Sequence, residues 1–107
     1  MDTAVATDPI LRRFREALAE LYGPALDRVV LFGSRARGDA GEQSDYDVAV
    51  FLRDVRPGMA EWYRLADLRT RILDADGPFF EAIPFQSSDY DRSTPIMREI
   101  KRDGVIL

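Results

Sequence analysis

Leu31-Phe32-Gly33-Ser34-Arg35-Ala36-Arg37-Gly38-Asp39-Ala40-Gly41-Glu42-Gln43-Ser44-Asp45-Tyr46-Asp47-Val48-Ala49-Val50 is the stretch on which the reading of this chain turns. It starts inside one apolar run, Arg28 to Phe32, and ends inside another, Tyr46 to Leu52. Both runs are short and, beyond Arg28 and Asp47, apolar at successive positions, so each reads as a strand covered on both faces. Gly33-Ser34 follows the first strand, and a short helix is expected over Arg35-Ala36-Arg37. A helix start offers unpaired N–H groups and about half a positive charge, which suits a phosphate. Gly33 has no β-carbon to keep a phosphate from the backbone. The Ser34 hydroxyl can donate to a phosphate oxygen, and Arg35 and Arg37 add positive charge. Taken alone, Gly-Ser is read more simply as an ordinary strand-to-helix turn.

Asp45 and Asp47 stand at the mouth of the second strand. Side chains at i and i+2 share one face of a strand, about 6.7 Å apart. Two carboxylates there repel each other and lose solvation unless a cation binds. Two magnesium ions about 3.5–4 Å apart would satisfy them and clamp a nucleotide's phosphates. An isolated Asp-x-Asp is more simply a pair of turn-forming aspartates, with Ser44 helping. What sharpens both readings is the connection. Ten residues separate Ser34 from Asp45, and they hold Gly38, Gly41 and Ser44 but no large apolar side chain. Such a loop returns the chain to the same side of the sheet, so the phosphate seat and the carboxylates face one cavity.

Working outward, Asp8 and Pro9 open a first helix that Gly23-Pro24 stops. Ile10, Leu11, Phe14, Ala17, Leu18 and Leu21 form its core-facing stripe. A second helix is expected from Met59 to about Asp76, with Trp62, Leu65, Ala66, Ile72 and Leu73 in the core. Phe79 to Phe85 reads as a third strand, which Pro84 places at a sheet edge. Ser87 to Ser93 reads as polar loop. Thr94-Pro95 opens a last helix, Ile96 to about Asp103, and Val105 to Leu107 reads as a short closing strand. Residues 1–7 are expected to be a disordered N-terminus and 8–107 one domain. The fold class is α+β (α/β-like): a small mixed sheet flanked by helices.

Composition removes whole classes of chemistry. Cysteine and histidine are absent, so there is no disulfide, thiolate nucleophile, imidazole base or Cys/His zinc site. A metal must be held by oxygen, which points to magnesium, manganese or calcium. The net charge of −4 argues against gripping long nucleic acid, but not against one nucleotide. No apolar run approaches the roughly 20 residues of a membrane span, and the start lacks a signal peptide, so a cytoplasmic address is expected. A homo-oligomer is left open.

Gly33-Ser34, ten residues and Asp45-x-Asp47, with a preceding apolar strand and the Ala36-Arg37-Gly38 insert, resembles the minimal nucleotidyltransferase (MNT) domain of the DNA polymerase beta superfamily. The resemblance is sharp over residues 29–52 and softer in the flanking helices. It implies that Gly33 and Ser34 hold the triphosphate of ATP or another NTP and that Asp45 and Asp47 bind magnesium. A nucleoside monophosphate then passes to a hydroxyl and pyrophosphate leaves. Many stand-alone proteins of this size are antitoxins paired with a HEPN-domain toxin, and some place AMP on a tyrosine of that partner. Catalytic members usually carry a third carboxylate on a later strand, which shares a metal and takes the proton of the attacking hydroxyl. Glu81 is the candidate, although the family more often has aspartate there and a carboxylate on a solvated edge strand, as Pro84 permits, is the other reading; Asp89 and Asp91 are weaker candidates that read more simply as solvated loop residues. Trp62 and Tyr63 suit stacking on a base or packing in the core. Tyr46 is expected to point to the opposite face from the aspartates. Two other readings remain: an inactive binder that blocks a toxin by contact, and a transferase acting on a small molecule such as an antibiotic. A calcium module is disfavoured, since the acidic residues do not follow an EF-hand loop.

Overall fold

The computed structural model describes residues 8–38, 41, 45–73 and 77–107. Residues 1–7, expected to be disordered, residues 39–40 and 42–44, and residues 74–76, expected to close the second helix, lie outside the described residues. Helix α1 (Pro9–Tyr22) begins where the Asp8 carboxylate accepts from Ile10 N at 2.9 Å and Leu11 N at 3.4 Å. A 3-10 turn, Gly23–Ala25, leads into strand β1 (Leu26–Phe32). Helix α2 (Ser34–Arg37) is one turn long, and β2 (Tyr46–Leu52), α3 (Ala60–Ile72) and β3 (Phe80–Gln86) follow. Ser87–Asp91, expected as loop, is a 3-10 helix; α4 (Pro95–Asp103) and β4 (Val105–Ile106) end the chain.

The sheet order is β3-β2-β1-β4. β1 is antiparallel to β2 and to β4, whereas β3 is parallel to β2, so the sheet is mixed. β3 lies at an edge, where Pro84 breaks no ladder bond. Alternation along the strands splits the core in two. Val29, Leu31, Tyr46, Val48, Val50 and Phe80 pack under α1 and α3, while Val30, Phe32, Ala49 and Phe51 pack under Met97 and Ile100 of α4. Gly104 lets α4 close on β1, because a β-carbon there would overlap the Ile100 carbonyl and Val30.

The core face of α3 differs from the expected one. Trp62 is 40% exposed and Ala66 is exposed, while Glu61, Leu65 and Leu68 are buried. A carboxylate can face inward here because it is neutralised. Tyr22 Oη donates to Glu61 at 3.1 Å, and Arg56 donates to it from both its backbone N–H, at 3.3 Å, and its guanidinium, at 3.2 Å. Arg64 adds a contact at 3.5 Å. Burial pushes the Glu61 carboxyl up, but the Arg56 and Tyr22 hydrogen bonds outweigh it and leave it below its ordinary value. Tyr22, buried beside this carboxylate, is pushed up to about 12. Among the described residues no helix is long and apolar enough to cross a membrane.

Candidate functional site

Antiparallel pairing of β1 with β2 brings the end of one strand beside the start of the other, and Phe32 is the register partner of Asp47. Parallel pairing brings the start of β3 to the same end, where Asp47 partners Glu81. Paired residues share a face, so Asp47 and Glu81 lie side by side on the α4 side of the sheet. The connection between β1 and β2, which includes α2, and the α3 crossover between β2 and β3 thus place Gly33, Asp45, Asp47 and Glu81 along one rim.

Gly33 is buried and adopts φ +78°, a left-handed conformation that favours glycine. A β-carbon at this position would overlap the Asp47 carboxylate. Ala36 N and Arg37 N then donate to the Gly33 carbonyl at 3.2 and 3.1 Å, forming α2 immediately beyond it. Ser34, half-buried, is the first residue of that turn.

Asp47 is half-buried, whereas Asp45 and Glu81 are exposed. Desolvation raises the Asp47 carboxyl above its ordinary value, and the charges of Glu81, Asp45 and Glu99 raise it further; Arg37 opposes them. Glu99 comes from α4, packed on this face. Nothing in its local sequence marks it, because it reaches the site only through the tertiary packing of that helix. Arg37 lies 3.9 Å from Asp103 near the end of α4.

The two arginines of α2 part company. Arg37 sits on the Asp47 side, while the Arg35 guanidinium lies 3.9 Å from the centre of the Tyr46 ring. Tyr46 belongs to the core under α1 and α3, as expected from its alternation with Asp45 and Asp47. Its ring stacks on Phe80 at 4.4 Å, and its hydroxyl donates to Asp8 at 2.6 Å. Burial pushes this phenol up to about 12, with help from the Asp8 hydrogen bond. The helix cap of α1 is thereby tied to the strand between the two aspartates. The tie spans 38 residues of chain, so no local pattern announces it. Tyr63 and Trp62 lie on the exposed side of α3, and Asp89 and Asp91 in the 3-10 helix after β3.

Among the described residues no set of three carboxylates is drawn together tightly enough to hold a metal ion by itself. The donor chemistry nonetheless suits a hard divalent cation. Three carboxylates stand on one rim, and burial, with their mutual repulsion, raises the central one. Magnesium commonly takes one or two carboxylates and completes its shell with substrate phosphates and water.

Comparison with known proteins adds a family frame. A sequence model described as a nucleotidyltransferase domain matches residues 11–93, most of the chain and all four strand-end positions just described. The chain is 36% identical over 62 residues to "Putative protein adenylyltransferase MJ0141" of Methanocaldococcus jannaschii, spanning 58% of this chain and 62% of that protein. Among solved structures, a toxin-antitoxin crystal structure with AMP-PNP superimposes with a TM-score of 0.62 at 22% identity, covering 88% of this chain and 69% of that one. A structure of a tri-AMPylated Shewanella oneidensis HEPN toxin in complex with its MNT antitoxin gives a TM-score of 0.59 at 20% identity, covering 89% of this chain and 66% of that one. At these identities the structural likeness concerns the fold.

Proposed function

Because this chain belongs to the nucleotidyltransferase domain family, we propose that it transfers AMP from ATP to a hydroxyl of a partner protein, a HEPN-domain toxin that it silences as antitoxin. The observation that carries this reading is the rim on which Asp47 stands between Gly33 and Glu81. Gly33 and Ser34 receive the triphosphate at the end of β1. Arg37, on the same face, adds positive charge to that side; Arg35 takes part only by leaving the Tyr46 ring. Asp45, Asp47 and Glu81 would hold magnesium, two ions when the nucleotide is bound. Magnesium held there would neutralise the phosphates and the departing pyrophosphate. Glu81 takes the proton of the acceptor hydroxyl as its oxygen forms the new bond to the α-phosphorus and the bond to pyrophosphate breaks. The names of the similar proteins support adenylyl transfer and a HEPN partner, and the cytoplasm is where such a pair would meet ATP.

The test is transfer of label to purified HEPN partner protein in the presence of magnesium. Label should move from [α-32P]ATP and not from [γ-32P]ATP, and Asp45→Asn/Asp47→Asn should abolish it. Transfer that survives the double substitution contradicts the assignment.

A further inference from the structure

A groove of about 310 Å³ runs along the outer edge of the sheet between α3 and β3. Trp62, Ala66 and Arg69 of α3 form one wall, and Phe79, Phe80 and Glu81 at the start of β3 form the other. Glu81 borders this groove at the sheet edge, while its register with Asp47 puts it on the α4 side, so groove and carboxylate rim meet across the β3 edge. Trp62 and Phe79 leave 40% and 52% of their surface in water, an unusual outlay of large aromatic area on a small domain. The Phe79 ring is held from behind: the Arg69 guanidinium lies 4.4 Å from its centre and donates to the Phe80 carbonyl at 3.2 Å. The strand edge here is also open. The Phe79 carbonyl accepts from Tyr46 N at 2.9 Å, so alternate residues starting with Phe80 turn their backbone groups outward. Ala82 then offers an N–H and a carbonyl at the free edge, and Pro84 ends the run of donors.

We propose that this groove docks the acceptor: an extended polypeptide segment carrying apolar side chains beside its reacting hydroxyl. The proposal rests on the nucleotidyl-transfer reading and on the strand order. Pyrophosphate leaves toward Gly33 and Ser34 at the end of β1, and the register runs from Phe32 through Asp47 to Glu81. In-line displacement requires the attacking oxygen to arrive opposite the leaving group. That direction is the β3 edge, where the groove opens beside Glu81. Edge hydrogen bonds then fix the segment's backbone, and Trp62 and Phe79 receive its apolar side chains.

The chain has a single tryptophan, Trp62, so its emission reports on the groove directly. The probes are two fluorescein-labelled decapeptides with a central tyrosine, one flanked by leucine and valine, the other by serine and glycine. Titrated into the intact protein, the apolar-flanked peptide should shift Trp62 emission to the blue and bind more tightly than the polar one by anisotropy. Phe79→Ser and Ala66→Glu should each weaken it about tenfold or more, with circular dichroism and magnesium-ATP affinity unchanged. Equal binding of both peptides, wild-type binding by both variants, or no binding of either peptide overturns the proposal. So does sedimentation showing that the substitutions dissociate a wild-type dimer, which makes the groove a self-interface. Absence of ATP binding in the wild type, with the peptide results as expected, overturns the transfer reading and leaves the docking surface standing.

Discussion

The Asp47 carboxylate lies where a β-carbon on residue 33 would have to be, so Gly33 is dictated by its neighbour across the sheet as well as by its own φ of +78°. Gly33→Ala must strain the backbone and push Asp47 away from the rim. We expect a loss of about 1–3 kcal/mol in urea unfolding together with loss of nucleotide binding. A variant that keeps wild-type stability and ATP affinity would show that the close approach is dispensable.

The raised Asp47 carboxyl ties stability to pH. Its folded value lies above its unfolded value near 3.8. The stability it contributes is fully present below that unfolded value and is lost as pH rises through the folded one. In metal-free protein, Asp47→Asn should remove this loss. The urea midpoint of the wild type should fall relative to the variant as pH climbs from acid to neutral, and magnesium should restore only the wild type. Parallel pH profiles for the two proteins would show that burial and the neighbouring carboxylates do not raise Asp47.

Glu61 should show the opposite sign at the far end of the sheet. Its carboxyl lies below its ordinary 4.5, so the stability it contributes is present above that value and is lost as pH falls through the folded one. Glu61→Gln should cost about 2 kcal/mol at neutral pH and flatten the acid limb of the stability curve, with ATP binding unchanged. Impaired ATP binding in this variant would mean that the Glu61 cluster communicates with the rim.

Tyr46→Phe isolates the tie between α1 and β2. It removes the 2.6 Å hydrogen bond to Asp8 but keeps the ring on Phe80. The expected cost is about 1 kcal/mol, or a Tm lower by about 4–8 °C, measured by calorimetry. An unchanged Tm would indicate that the Asp8 cap holds α1 without the phenol.

Much of this was legible in the sequence because it is local. Apolar character at every position from Val48 to Leu52 marks a buried strand, and Asp8-Pro9 and Thr94-Pro95 start helices by chemistry carried within one turn. The i, i+2 spacing of Asp45 and Asp47 likewise puts both opposite Tyr46. What escaped is set by partners far along the chain. In α3, Trp62 and Leu65 define an apolar stripe as readily as Leu65 and Leu68 do. Only Tyr22, Arg56 and Arg64 converging on Glu61 select the face that is buried. The neighbourhood of Asp47 and Glu81 depends on β3 running parallel to β2, which is fixed by the α3 crossover and not by either strand. Arg35 and Arg37, two residues apart on one helical turn, point apart because i and i+2 do not share a helix face.

The measurement that bears most directly on the central claim is calorimetric titration of ATP with magnesium into the wild type and into Asp45→Asn/Asp47→Asn. Binding should require magnesium and disappear in the double variant, whose fold should stay intact by circular dichroism. Equal binding by both proteins, or no binding of any nucleoside triphosphate by the wild type, would contradict it.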